Sequence, residues 1–356
     1  MSVLIGGLGR YVDYVAIGIL TSGGDCPGLN AVIRAAVLKG IQIYDQEFVG
    51  FRDGWRGLVE GDAVPLERRD IQGIGKLGGT ILGTSRTNPL SDGDTTGQRA
   101  RESMERLGVD SLIVIGGEGT LAAAAELAQT GVRIVGVPKT IDNDLSATDM
   151  TFGFDTAVEI ATEAFDRLRT TGDSHGRAMV AEVMGRHVGW IALHSGMAAG
   201  AHAILIPEQR TTWDELTEWV TSAHRRGRAP LVVVSEGFVP EGGTTAFSDQ
   251  GLDAFGRPRL GGVGELVTAE IEARTGIESR CTILGHIQRG GTPSAFDRVL
   301  ATRFGLAAID ATVHGRFGRM VSLRGTDITH VPIADGIGRL NAVPQSRWDE
   351  AAILFG

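Results

Sequence analysis

The chain has 356 residues, 42% of them hydrophobic and 22% charged, with a net charge of −9. That length accommodates two domains of ordinary size, and the acidic balance argues against nonspecific nucleic-acid binding, which depends on excess Lys and Arg. Two cysteines, Cys26 and Cys281, furnish no disulfide framework, no apolar run is long enough for a membrane helix, and the opening "MSVLIGGLGRYVDYVAIGIL" lacks the pattern of a secretory leader, so a reducing, cytoplasmic setting is expected.

In chain order, residues 1–13 read as a loose extension. "YVAIGIL" (14–20) reads as a buried strand, followed by the turn "TSGGDCPGLN" and the helical pattern "AVIRAAVLKG". "SLIVI" (111–115) leads into "GGEGT" and the helical "LAAAAELAQT", and "VRIVGVP" (132–138) runs into "TIDND". Further strands are expected at "RAMVAEV" (177–183), "AHAILIP" (201–207) and "PLVVVSEG" (230–237), with helices between them such as "WDELTEWVTSAHRR". The stretch from 240 to 262 reads as a long surface loop. Short β-branched runs alternating with helices of this length predict an α/β fold with mainly parallel sheets and crossover helices. Ligands bind such sheets beyond the carboxyl ends of the strands. The glycine turns fall there, among 52 glycines in all.

Gly23 and Gly24 let backbone N–H groups approach an anion, and the helix starting near Pro27–Asn30 adds its positive end. A tight turn that needs glycine explains the pair equally well. Neither a P-loop nor a GxGxxG is present. Glu118, among glycines at a strand end, suits Mg²⁺, which prefers carboxylate oxygens and water, although a solvated loop glutamate is the plain alternative. Asp142 and Asp144 flank Asn143 just past a buried strand. Two carboxylates beside a phosphate are unfavourable unless they meet a metal or take up a proton, and one of them suits general-base work; an Asx-rich turn is the plain alternative. Arg86, Arg177, Arg186, Arg280 and Arg289 supply forks that fit phosphate oxygens. His286 stands out among the histidines because glycine and Arg289 flank it. These residues imply a two-domain, Mg²⁺-dependent phosphoryl-transfer enzyme, and they leave its acceptor open.

TSGGDCPGLN, LGTSR, IGGEGT, PKTIDND, SHGR, EVMGRHVGW, SEG and LGHIQRGGTPSAFDR, in this order and spacing, resemble the 6-phosphofructokinase family, in particular its actinobacterial members, from about Val15 almost to the C-terminus. The resemblance implies two Rossmann-like domains. Residues 14–153 with 288–338 would bind nucleotide, and 154–287 with 339–356 would bind sugar phosphate. It implies transfer from ATP to the 1-hydroxyl of fructose 6-phosphate, the committed step of glycolysis, by a cytoplasmic homotetramer whose active sites are shared between subunits, with no nucleic-acid or membrane partner. Asp142 would be the base, with Thr140 and Asp144 beside it. Glu118 would ligate Mg²⁺. Gly23, Gly24, Thr87, Gly117, Gly119 and Thr120 would line the donor site, with Arg86 stabilising charge on the transferring group. Met184, Gly185, Arg186, Glu236, His286 and Arg289 would bind the sugar phosphate, helped by Arg177 and Arg280 of a neighbouring subunit.

The donor signature is mixed. In this family Gly119 leaves room for a nucleotide where pyrophosphate users place Asp, whereas Lys139 is the residue of pyrophosphate users. Gly119 carries more weight, because an added carboxylate would clash with a nucleotide α-phosphate. A reversible pyrophosphate-dependent enzyme is the alternative, and a non-catalytic sugar-phosphate sensor a more distant one. Arg34, Arg68 and Arg169 match effector-binding positions of bacterial relatives, but Leu38 and His202 replace an arginine and a glutamate there, which puts the usual allosteric control in doubt.

Overall fold

The computed structural model describes residues 15–356 except 92, 95, 241–242, 244–246, 253–257 and 261; the expected extension at 1–13 lies outside the described residues. Thirteen described strands and eleven α-helices follow in chain order: β1 (Ala16–Ser22), α1 (Leu29–Tyr44), β2 (Phe48–Phe51), α2 (Trp55–Glu60), β3 (Ala63–Pro65), α3 (Gln98–Leu107), β4 (Val109–Gly116), α4 (Glu118–Gln129), β5 (Arg133–Pro138), α5 (Phe154–His175), β6 (Ala178–Val183), α6 (Trp190–Ala198), β7 (Ala203–Leu205), α7 (Trp213–Arg225), β8 (Leu231–Ser235), β9 (Phe247–Leu252), β10 (Pro258–Leu260), α8 (Val263–Thr275), β11 (Ser279–Ile283), α9 (Ala295–Val313), β12 (Arg319–Arg324), β13 (Asp327–Pro332), α10 (Ile333–Ile337) and α11 (Gln345–Ala352).

The chain divides into two compact units. One comprises residues 1–140, 145–153 and 289–340; the other comprises 141–144, 154–288 and 341–356. The first holds a seven-stranded sheet in the order β13-β12-β5-β4-β1-β2-β3. Its strands are parallel except for the antiparallel edge pairs β2–β3 and β12–β13. β1 thus lies between β2 and β4, the point where the winding reverses and a crevice opens beyond the strand ends. β4 reads as a continuous apolar run because helices cover both faces: Leu112, Ile113, Val114 and Ile115 are all fully buried. Leu20, Phe51, Trp55, Leu58, Val114 and Leu121 belong to the core on one face.

The second unit holds a parallel four-stranded sheet, β11-β6-β8-β7. Val180, Leu205, Val232 and Val234 pack with Leu216 and Val220 of α7 and with Val267 of α8. Helix α7 starts in a capping box, in which the Thr212 hydroxyl accepts from the Glu215 N–H while the Glu215 carboxylate accepts from the Thr212 N–H. The α/β fold with mainly parallel sheets is as the sequence pattern predicts. The loop expected over 240–262 is different: it contains the antiparallel pair β9–β10. No described helix is long and apolar enough to cross a membrane.

Candidate active site

Three turns of the first unit, two of them rich in glycine, leave the sheet at one level. Ser22 pairs with Gly116 and Gly116 with Pro138, so TSGG, GGEGT and PKT emerge side by side from β1, β4 and β5. The first turn is built for close approach. Gly23 has φ +85°, a left-handed conformation that glycine adopts freely. The segment carrying Arg86 is tied to it: the Gly23 N–H donates to Ser85 O (2.9 Å), Thr84 Oγ1 donates to Gly23 O (2.6 Å) and Ser22 Oγ donates to Ser85 O (3.0 Å). Arg86 itself is exposed, with Thr87 half-buried beside it.

Two cations converge on the Gly24–Asp25 backbone. Lys139 is buried, and its ammonium donates to Gly24 O. Arg289 Nη1 donates to Asp25 O (3.3 Å), and its guanidinium lies so close over Gly24 that any Cβ there would collide with it. The thiol of Cys26 lies fully buried among these groups, and burial first of all pushes its pKa up to about 12, so it is inert at neutral pH.

Glu118 opens α4, exposed, between Gly117 and Gly119. Among the described residues no three His, Cys, Asp or Glu side chains gather into a metal cage. A single accessible carboxylate nevertheless fits Mg²⁺, which keeps several waters and is held by one or two carboxylates together with substrate phosphates. Thr120 is buried in the first turn of α4, its Oγ1 3.3 Å from where a Gly23 Cβ would stand. Thr140 closes this group, its carbonyl accepting from Thr151 Oγ1 (2.8 Å).

The second unit gathers another set at the carboxyl ends of β6, β8 and β11, where Val183 pairs with Ser235 and Ile283 with Glu182. Met184 and Gly185 follow β6. Gly185 has φ +135° and no space for a Cβ between Ser235 Oγ and Val188 O. Its N–H points to Glu236 Oε1 (3.4 Å), and its carbonyl accepts from Ser235 Oγ (2.6 Å) and from the Gly237 N–H (3.1 Å). His286 is exposed in a short 3-10 turn, Gly285–Arg289, whose buried Gln288 donates to Gly285 O. Arg186 is half-buried in the same loop as Met184. Asp142 and Asp144, both half-buried, belong to this unit.

Arg177 and Arg280 are not part of that gathering. Arg177 precedes β6 and Arg280 pairs with Met179 near its start, so both stand at the opposite end of the strands from Met184, roughly 16–23 Å away. There both guanidinium groups meet Glu278, and the hydrogen bond from Arg177 above all holds that carboxyl below its usual range.

Several supporting residues were not singled out from the sequence, although Asn30 and Glu182 lie within TSGGDCPGLN and EVMGRHVGW. Asn30, buried on α1, donates to Leu77 O and Gly78 O and accepts from the Ile81 N–H (2.8 Å), which shapes the run leading to Arg86. Glu182, at the end of β6, accepts from the Gly264 N–H (2.8 Å), and burial raises its pKa. Glu208 accepts from the Gly189 N–H with both oxygens (3.1 and 3.0 Å) and from the Val343 N–H (2.9 Å); burial raises its pKa too.

A family model described as Phosphofructokinase matches residues 16–312. The chain is 60% identical over 341 residues to a pyrophosphate–fructose 6-phosphate 1-phosphotransferase of Streptomyces coelicolor, covering 96% of this chain and 99% of that one. It is 55% identical over 342 residues to ATP-dependent 6-phosphofructokinase 3 of the same organism, covering 95% and 99%. Among solved structures, Pichia pastoris phosphofructokinase in the T-state superposes with a TM-score of 0.78 at 32% identity over 98% of this chain, which spans 37% of the yeast chain's length.

Proposed function

The chain belongs to the phosphofructokinase family, and we propose that it transfers the terminal phosphoryl group of ATP to the 1-hydroxyl of fructose 6-phosphate, as a cytoplasmic homotetramer. The observation that carries the choice of donor is Gly119. Its backbone is not left-handed, and a Cβ built there meets nothing within 4 Å. The fold therefore does not require glycine, which in a helix costs about 1 kcal/mol relative to alanine. Space kept open beside Glu118, at no structural demand, suits the part of a nucleotide that lies beyond the transferred phosphate. An aspartate would fill that space with charge opposed to the α-phosphate.

In this reading the sugar O1 forms a bond to the γ-phosphorus as the bond to ADP breaks, and Asp142 takes the hydroxyl proton. The glycine turn at Gly23–Gly24 cradles donor phosphates with backbone N–H groups, and Arg86 balances charge on the transferring group. Magnesium held by Glu118 and the donor phosphates would supply further charge neutralisation. Met184, Glu236, His286 and Arg289 orient the acceptor, so that positioning and charge, with no covalent intermediate, lower the barrier.

A pyrophosphate-dependent reaction is the second reading. Lys139 favours it, a buried cation anchored on the glycine turn, as does the name of the relative at 60% identity. The deciding experiment measures fructose 1,6-bisphosphate formed by the purified protein with Mg²⁺ and fructose 6-phosphate, given ATP in one series and pyrophosphate in the other. Turnover with ATP alone is expected. Turnover with pyrophosphate alone would replace the first reading by the second, and silence with both would remove the enzyme reading.

A further inference from the structure

The turn that carries Asp142 is held in part by a distant segment of the chain. Asn143 is buried in a left-handed conformation (φ +53°), which asparagine adopts more readily than other side-chain-bearing residues. Two consecutive carbonyls of that turn point to one distant residue. Asn341 Nδ2 donates to Asn143 O (2.8 Å), and the Asn341 N–H donates to Asp144 O (2.9 Å). Asn341 is held in turn: Trp190 Nε1 donates to its carbonyl (2.7 Å). Two residues on, the Val343 N–H donates to Glu208, the carboxylate that also takes the Gly189 N–H. Gly189 and Trp190 close the loop that begins with Met184, Gly185 and Arg186. A Cβ at Gly189 would collide with Ile206, so that end of the loop has one seat.

We propose that Asn341 is a positioning residue for phosphoryl transfer, clamping the Asp142 turn to the loop that binds the sugar phosphate. The clamp works through two peptide planes. With the carbonyls of Asn143 and Asp144 both engaged, the peptide groups that follow Asp142 cannot rotate, and the carboxylate keeps one approach to the acceptor. Trp190 and Glu208 fix the same short segment, residues 341–343, to the start of α6, so base and acceptor loop share one frame. Asparagine supplies both donors at once: its side-chain amide reaches Asn143 O while its own backbone N–H reaches Asp144 O. Because positioning enters the barrier steeply, a shift of about 1 Å at the base costs on the order of 10²-fold in rate.

The assignment rests on Asp142 acting as the base, and the test separates the two. Full-length Asn341→Ala and Trp190→Phe variants are compared with the unchanged protein for kcat, KM for fructose 6-phosphate, thermal midpoint, and amide hydrogen exchange in peptides covering residues 140–146. Trp190→Phe keeps an aromatic side chain while removing the donor to Asn341, so it remains informative should Asn341→Ala fold poorly. Expected for Asn341→Ala is a kcat lower by roughly 10- to 100-fold, a KM within about threefold, and faster exchange at 140–146; Trp190→Phe moves the same way by less. A merely structural role would lower the thermal midpoint and leave kcat of the folded fraction unchanged, and that result overturns the proposal. Wild-type exchange at 140–146 in both variants overturns it as well. Should the unchanged protein turn over neither donor, the functional reading fails, and the exchange measurement alone decides whether the clamp exists.

Discussion

The guanidinium of Arg289 lies directly over the Cα of Gly24, with its Nη1 on the carbonyl of Asp25, so a cation assigned to the acceptor phosphate is seated on the loop assigned to the donor. A single methyl at position 24 therefore acts on the acceptor side. Gly24→Ala is expected to displace Arg289 and to raise KM for fructose 6-phosphate about 10-fold or more, the scale of one charge-assisted hydrogen bond. KM for the donor should rise less. Steady-state kinetics with each substrate varied in turn checks this; a change confined to the donor would show that Arg289 does not reach the acceptor.

Positions 119 and 139 separate the two donors. A Cβ at position 119 meets no neighbour, and a carboxylate in the first turn of α4 interacts favourably with the helix dipole by roughly 0.3–1 kcal/mol, so Gly119→Asp should fold with an unchanged or slightly higher melting temperature. Its kcat/KM with ATP should nevertheless fall by about 10²-fold, through charge and volume opposed to a nucleotide. Lys139→Met keeps the buried stem and removes the ammonium. ATP-dependent turnover should drop less than about tenfold, whereas a pyrophosphate enzyme would lose at least ~10²-fold. Calorimetry and paired donor assays measure both effects.

The sheet architecture and the level at which the candidate residues leave it were legible in the sequence, for one physical reason. Runs such as Leu112–Ile115, covered on both faces, must be apolar throughout, and where they end against glycine the chain has reached the ligand-facing edge. The supporting polar residues were not legible, because their partners are remote: Asn30 bonds to residues 47 to 51 positions away, and Asn341 to one 198 positions away. Asn30 falls within TSGGDCPGLN, but nothing local gives its partners, and no motif marks Asn341. The pair β9–β10 escaped as well. "AFSDQGL" and "RPRL" show neither alternation nor a two-residue glycine turn between them.

Arg177 and Arg280 stand at the far end of β6 from Met184 and Glu236, so within one chain they cannot join the other substrate residues without unfolding the strand. In the proposed homotetramer they would act in a neighbouring subunit's site. Asp142→Asn should lower kcat by about 10²- to 10⁴-fold as the loss of a general base, with fructose 6-phosphate binding nearly unchanged. Arg280→Ala should instead weaken sugar-phosphate binding. Assayed at low fructose 6-phosphate, where each variant alone is nearly silent, the two unfolded together and reassembled should regain activity, because some sites then pair an intact Asp142 with an intact Arg280. Mixtures that stay as inactive as their components would show that Arg280 does not serve a neighbouring subunit's site.

His202 predicts an acid-sensitive fold. Its Nδ1 accepts from the Leu231 N–H (3.0 Å), a bond open only to the neutral ring. Burial first, then Arg169, Arg226 and Arg228, pull its pKa from 6.5 down to about 4. A depressed folded-state value means that the unfolded chain takes up the proton first. The stability from neutral His202 is complete above about pH 6.5 and declines as pH falls toward 4, beyond which the folded ring charges too. Asparagine offers a carbonyl oxygen close to the Nδ1 position and does not titrate. His202→Asn should fold at pH 7 within about 1 kcal/mol of the unchanged protein, the net value of one hydrogen bond, and should lose less stability between pH 6.5 and 4. Denaturant unfolding of both proteins at half-unit pH steps measures the two slopes; identical slopes across that window would mean that other groups carry the acid sensitivity.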